Sequence, residues 1–386
     1  LDFFTFPVKV RNTKQNTVVF DASSFLLKED RFFPIIAKNV GSYTVNSSLK
    51  ENLTRITAVK AFEENACVKM ERNYIISLSG RSGSSAINNY PVTIGVNFNF
   101  ALLPQDQMTP RLSDTRIGYF LINKDVVTNG KVEKATFVKR WRIEPKDTAA
   151  YFAGKLTEPT KPIVYYIENT FPTLWKNAIK NGILRWNKAF EKIGFKNVVQ
   201  VQDFPTNDPN FDPDNFKYSC IRYLPTDVEN AMGPSWTDPR TGEIINATVL
   251  VYNDVVNTID DWRFVQTSQI DPRARVARMP DDIVSETLEY IIAHEIGHTL
   301  GLMHNMAASA AIPTDSLRSV SFTQQYGTTA SIMDYARFNY VAQPQDKGVK
   351  LTPPYLGVYD YYAIEWGYKY FPNQMGYKKE SLELKK

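Results

Sequence analysis

The sequence predicts an α+β chain in two parts: a β-rich domain over residues 1–155 and a mixed domain over residues 156–386. Three observations carry this expectation. Short runs of β-branched and aromatic residues fill the first part. Strand-like and helix-like runs alternate in the second. Between them, Glu158-Pro159-Thr160-Lys161-Pro162 sets two prolines among polar residues, as a domain boundary often does. A length of 386 residues suits two domains, and an apolar content of 43% supplies a core for each.

In the first part, residues 16–20, 67–70, 75–78 and 92–100 read as strands. Residues 92–100 alternate apolar with small or polar side chains, the signature of a half-buried strand. Asn129-Gly130 is a turn pair between residues 118–127 and 132–143, which predicts a hairpin. In the second part, residues 163–167 form a compact strand. Thr170 is placed to cap a helix with Pro172 in its first turn. Leu174, Ala178, Trp186, Ala189, Phe190 and Ile193 then recur at helical spacing until Gly194. Residues 198–201 and 243–251 read as strands. Residues 203–240, rich in Pro, Asp and Asn, read as a long irregular stretch. A helix follows from about residue 281 to residue 300, with Asp281 and Asp282 at its positive end.

Charge excludes some functions. The chain has 45 basic and 41 acidic residues, a net of +4. The basic residues are scattered, so no nucleic-acid or polybasic membrane surface is expected. No stretch is long and apolar enough to span a membrane. The chain starts at Leu1 and reads as a processed or excised protein, so the missing signal says little about destination. Cys67 and Cys220 are open to two readings, a pair or two buried thiols.

The chemistry lies in His294-Glu295-Ile296-Gly297-His298-Thr299-Leu300-Gly301-Leu302-Met303-His304. Four residues of helix put His294 and His298 about 40° apart around the axis and about 6 Å apart along it. Two imidazoles so placed can hold one zinc ion. Glu295 stands beside the first ligand, able to reach a water at the metal without being a ligand. Gly301 can take the left-handed conformation that ends the helix and brings His304 back as third ligand. Three histidines leave a fourth position for water. The chain has three histidines in all, and every one lies in this motif, which argues against accident.

The pattern HExxHxxGxxH resembles the metzincin clan of zinc proteases. Those proteins share a tight turn with a methionine beneath the metal, and Ser331-Ile332-Met333-Asp334-Tyr335 looks like that turn. In the astacin-like and serralysin-like branches a tyrosine two residues after the methionine approaches the zinc. Tyr335 has that place. Trp186-Asn187-Lys188-Ala189-Phe190, Gly233-Pro234-Ser235-Trp236-Thr237-Asp238-Pro239 and Tyr359-Asp360-Tyr361-Tyr362-Ala363-Ile364 are similar to a family of secreted bacterial metzincins with a large N-terminal region of uncharacterised role. Asn305, which follows the third histidine, matches none of the astacin, serralysin, matrix metalloprotease or adamalysin branches. Their specificities therefore do not transfer.

The resemblance implies a catalytic domain of twisted mixed sheet, backing helix, active-site helix and Met-turn. It implies one catalytic Zn2+ on His294, His298 and His304, with Glu295 as general base and Tyr335 binding the metal or the oxyanion. It also implies a secreted, periplasmic or cell-surface location. In metzincins the strand before the zinc helix is a sheet edge bounding the cleft, so a protein or peptide substrate is expected to lie extended along residues 243–251. An endopeptidase follows. The alternatives are a catalytically idle binding protein of the same fold, and a zinc hydrolase of a non-protein or glycan-linked peptide substrate. The N-terminal part could recruit substrate, pack on the protease or block its cleft. Cys67 lacks the residues that flank a cysteine switch and reads as structural.

Overall fold

Strand propensity organises the first of two compact units, Leu1–Leu102 and Leu103–Lys386. The computed structural model describes residues 6–29, 34–80, 85–128, 130–372 and 375–385. The first unit runs β1 (Val8–Asn12), β2 (Thr17–Phe20), α1 (Ser23–Leu27), β3 (Asn39–Val40), β4 (Tyr43–Leu49), β5 (Arg55–Ala61), β6 (Asn65–Ser79) and β7 (Ser85–Ala101). The expected strands at 67–70 and 75–78 are one long strand, β6. It pairs antiparallel with β7 from Asn65↔Ala101 to Ser79↔Ser85, and also with β5 and β4. Val96 and Phe98 of β7 pack with Phe25 of α1 around buried Leu26, Val68 and Met70, as the alternation of residues 92–100 requires. Cys67 and Cys220 are buried thiols and not a disulfide. Cys67 Sγ bonds Asn97 Oδ1 across the β6–β7 pair.

The second unit runs β8 (Leu121–Thr128), β9 (Lys131–Val138), α2 (Thr148–Phe152), β10 (Ile163–Ile167), α3 (Thr173–Leu184), α4 (Asn187–Lys192), β11 (Val199–Asp203), β12 (Ser219–Leu224), β13 (Ala231–Met232), β14 (Ser235–Thr237), β15 (Ile244–Tyr252), α5 (Val255–Thr267), α6 (Asp281–Thr299), α7 (Val320–Tyr326), α8 (Val358–Tyr368) and α9 (Gly376–Leu384). The hairpin of β8 and β9 forms, in register Leu121↔Val138 to Thr128↔Lys131. Asn129 of its turn lies outside the described residues. The helical run expected to end at Gly194 is two helices, α3 and α4. They meet at Arg185 and Trp186, both tied to α6: Arg185 pairs with Glu289, and the Trp186 indole donates to Ala293 O at 2.9 Å.

The main sheet has the order β11-β10-β12-β15-β13, with β14 also on β15. β11, β10, β12 and β15 are parallel, while β13 and β14 run antiparallel to β15. Helix α3 backs α6 so closely that a Cβ on Gly182 would stand 2.7 Å from Glu289 O. Ile179 and Ile183 of α3, Leu288, Ile292 and Ile296 of α6, and Val249 and Val251 of β15 are buried in one core. Burial of such apolar surface is the main term holding this layer together. The fold is α+β, a twisted mixed sheet with backing and active-site helices and a β-rich N-terminal unit. Among the described residues no helix is long and apolar enough to cross a membrane.

The compact units divide at Leu102/Leu103, while the change of sequence texture lies at 155/156. Residues 103–155 belong with the metal helix because they are bonded to its last residue and to the segment that follows it. Phe120 N donates to Gly301 O at 2.8 Å, Met303 N donates to Gly118 O at 2.9 Å, and the Trp141 indole donates to Thr299 O at 2.8 Å. The proline-rich stretch is itself tied down, by Lys146 N to Glu158 O and Thr160 N to Glu144 O. Its composition marks a change of texture within one unit. One expectation is corrected, that of residues 243–251. β15 is an interior strand, covered by β13 and β14. Those two lie in the stretch read as irregular, where proline and glycine between very short strands hide the alternation. Among the described residues the outer strands on that side are β13 and β14.

Candidate metal centre

Helix α6 is buried along most of its length and presents His294 and His298 one turn apart. It ends at Leu300. Gly301 has φ +94°, the left-handed conformation that turns the chain back, and no side chain fits there because a Cβ would run into Lys139 O. The strand-like segment around Tyr119 pairs with Leu302 and steadies the returning chain. His304 arrives beside the other two. Ligand atoms of His294, His298 and His304 all lie within 4.8 Å of one another. The structure thus brings together the three histidines that the spacing singled out.

The donor set fits a zinc ion. His294 Nδ1 bonds Ile332 O at 2.7 Å, and His298 Nδ1 bonds Leu302 O at 2.8 Å. A carbonyl can only accept, so each Nδ1 carries the proton and each Nε2 offers a lone pair. Among the described residues, none offers a hydrogen-bond partner to the buried His294 Nε2. His298 Nε2 and His304 Nε2 face each other at 3.0 Å. Lone pairs converging this way call for a cation. Burial pushes His294 down to about 3, with His298 adding to the effect, and burial lowers His298 and His304 as well. Neutral imidazoles are what zinc binds.

Glu295 faces the same cleft. Burial pushes it up to about 8, partly offset by a hydrogen bond from the Gly233 backbone amide. Tyr335 is 44% exposed, and its ring centroid lies 4.4 Å from that of His304 and 5.5 Å from that of His294. Burial raises the Tyr335 hydroxyl, and the nearby Glu295 raises it further. The cleft has a volume of about 480 Å³ and is walled by Asn230, Ala231, Met232, Gly233 and Pro234 on one side, with Tyr335 and Arg337 also lining it.

Support comes from residues that the spacing did not identify. Asp360 of α8 is fully buried and accepts from Ser331 Oγ at 2.6 Å, Ile332 N at 2.9 Å and Gly357 N at 2.7 Å. It fixes the turn whose Ile332 carbonyl orients His294. Its sequence signal was its place in the Tyr359–Ile364 run, where nothing local shows that it reaches the turn. Met333 is buried beneath the histidines, and its carbonyl accepts from Asn305 N at 2.9 Å. The loop after the third histidine is thereby seated on the turn.

Residues 277–386 match the family model described as Met-zincin. Residues 3–146 match a model described as Domain of unknown function (DUF5117), which extends past the end of the first compact unit. No curated protein and no solved structure matches the chain. The Met-zincin match covers the histidine cluster, so the similarity to metzincin zinc metalloproteases holds, and a zinc-binding site and metallopeptidase chemistry go with it.

Proposed function

We propose that this chain, with its metzincin-type site, is a zinc-dependent endopeptidase in which Glu295 is the general base. The carrying observation is that three converging Nε2 atoms and one buried carboxylate share a cleft walled by a sheet edge. His294, His298 and His304 would hold the zinc ion, which would supply Lewis-acid polarisation and make a nearby water more acidic. Glu295 takes the proton from the attacking water and hands it to the leaving amine. Its place supports the role, because the carboxylate lines the same cleft as the three histidines, within reach of a water there. Tyr335 donates its hydroxyl proton toward the oxyanion that forms on the scissile carbonyl.

The substrate lies extended beside β13 rather than along residues 243–251. An outer strand offers backbone groups to an incoming peptide. The Ala231 amide is held by Asn230 Oδ1 at 2.9 Å, a contact that a peptide carbonyl can replace. A secreted, periplasmic or cell-surface setting accords with this reading. The test is a proteome-derived peptide library incubated with the chain and mapped for new termini. Internal cleavage that a chelator stops, zinc restores and Glu295→Gln abolishes is the expected result. A zinc-loaded chain that cuts nothing, or a Glu295→Gln variant that cuts normally, refutes the assignment.

A further inference from the structure

Arg337 is the cleft residue that the reaction above does not use. It follows the Met-turn and has φ +57°, a backbone conformation that few non-glycine residues adopt. Its neighbour Phe338 is buried and anchored by its amide to Gln266 Oε1 at 3.0 Å. The guanidinium lies between two aromatic rings, 3.8 Å from the Trp262 centroid and 4.4 Å from the Tyr335 centroid. Both rings line the cleft with it, beside His304 and Glu295.

Its charge is otherwise unspent. Arg111, Arg142, Arg185 and Arg263 are buried or half-buried, and each pairs with a glutamate of its own: Glu380, Glu243, Glu289 and Glu286. Among the described residues no carboxylate pairs with Arg337. Its faces are covered by rings, so its N–H edge remains for hydrogen bonding. A planar cation held this way matches the two oxygens of a carboxylate. Glu229 lines the same cleft, but it accepts from Thr258 Oγ1 at 3.3 Å and forms no ion pair with Arg337.

We propose that Arg337 is a specificity-determining residue that binds a carboxylate of the substrate next to the scissile bond. This rests on the peptidase reading, since the anions a peptide carries are acidic side chains and its free C-terminus. Either source presents the same planar pair of oxygens.

The test uses dye-labelled, alanine-rich hexapeptides in which one Glu or Gln is walked along the chain, each made with a free and an amidated C-terminus. Binding is read by fluorescence anisotropy on the metal-free chain, and cleavage on the zinc-loaded chain. Carboxylate-bearing peptides should bind on the order of tenfold tighter than their neutral counterparts, as a charge-assisted pair gives. Arg337→Gln should remove the discrimination, and Arg337→Lys should keep part of it. Discrimination in the Glu/Gln pairs identifies an acidic side chain as the ligand, and discrimination in the acid/amide pairs identifies the terminus. Equal binding of charged and neutral peptides by the unmodified chain overturns the proposal, whether or not Arg337→Gln folds. So does discrimination that survives in Arg337→Gln. Selective binding without any cleavage would sink the peptidase reading and leave the carboxylate site standing; cleavage without selectivity would do the reverse.

Discussion

The sulfur of Met333 occupies the space into which a side chain on Gly297 would grow. A Cβ built there overlaps Met333 Sδ and stands 2.9 Å from Trp186 Cζ2. The variable position before the second histidine is therefore closed by the turn beneath it. Gly297→Ala should cost about 1–3 kcal/mol through overpacking. A shift of the urea midpoint to lower concentration checks this. Met333→Leu keeps the volume and should cost less than about 1.5 kcal/mol.

Gly301→Ala should weaken the site in a different way. The alanine must adopt φ +94° and meets Lys139 O, so strain of about 1–3 kcal/mol falls on the turn that returns His304. Zinc affinity, measured by competition with a chromophoric chelator, should drop while α6 itself stays helical by circular dichroism. Unchanged affinity would mean that His304 finds its place without this turn.

Asp360→Ala leaves the amides of Ile332 and Gly357 buried without an acceptor, at about 1–3 kcal/mol each. The Ile332 carbonyl then holds His294 less firmly, and zinc affinity should fall about 10–100-fold. Asp360→Asn retains one acceptor oxygen and should fall between the two. A chelator titration of the three proteins gives the order.

Tyr335→Phe keeps the ring against His304 and removes the hydroxyl. If that hydroxyl serves the oxyanion, kcat should fall about 10²-fold with KM and zinc content little changed. A loss confined to zinc content would assign Tyr335 to metal retention instead.

Cys67 and Cys220 should both titrate as thiols in the unfolded chain without added reductant. In the folded chain Cys220 should resist alkylation at neutral pH, since burial pushes its thiol up to about 12 and the thiolate is the reactive form. Mass spectrometry after a brief iodoacetamide pulse reads this directly.

Much of the metal site was legible because it is local. His294 and His298 are four residues apart on one helix, and the helix geometry alone brings them together. Gly301 and His304 follow within a turn. The alternation of residues 92–98 likewise showed which face of β7 is half-buried, although Phe100 at its end is exposed. The proline-rich stretch at residues 158–162 reports chain texture, whereas membership of a compact unit depends on bonds such as Phe120 to Gly301. The cleft wall was missed because β13 and β14 are two and three residues long, too short to show a period.

By itself, the sequence determined the candidate ligand set, the helix that carries it and the turn that brings back the third histidine. These depend on residues within one or two helical turns, where covalent spacing dictates distance. The tertiary structure alone decided the tautomer of His294, through a carbonyl 38 residues away, and the support of that carbonyl by Asp360. It also decided that β13 and not β15 borders the cleft, and that Arg337 stacks between Trp262 and Tyr335. Those relationships join distant segments through packing and hydrogen bonds, and no local periodicity encodes them.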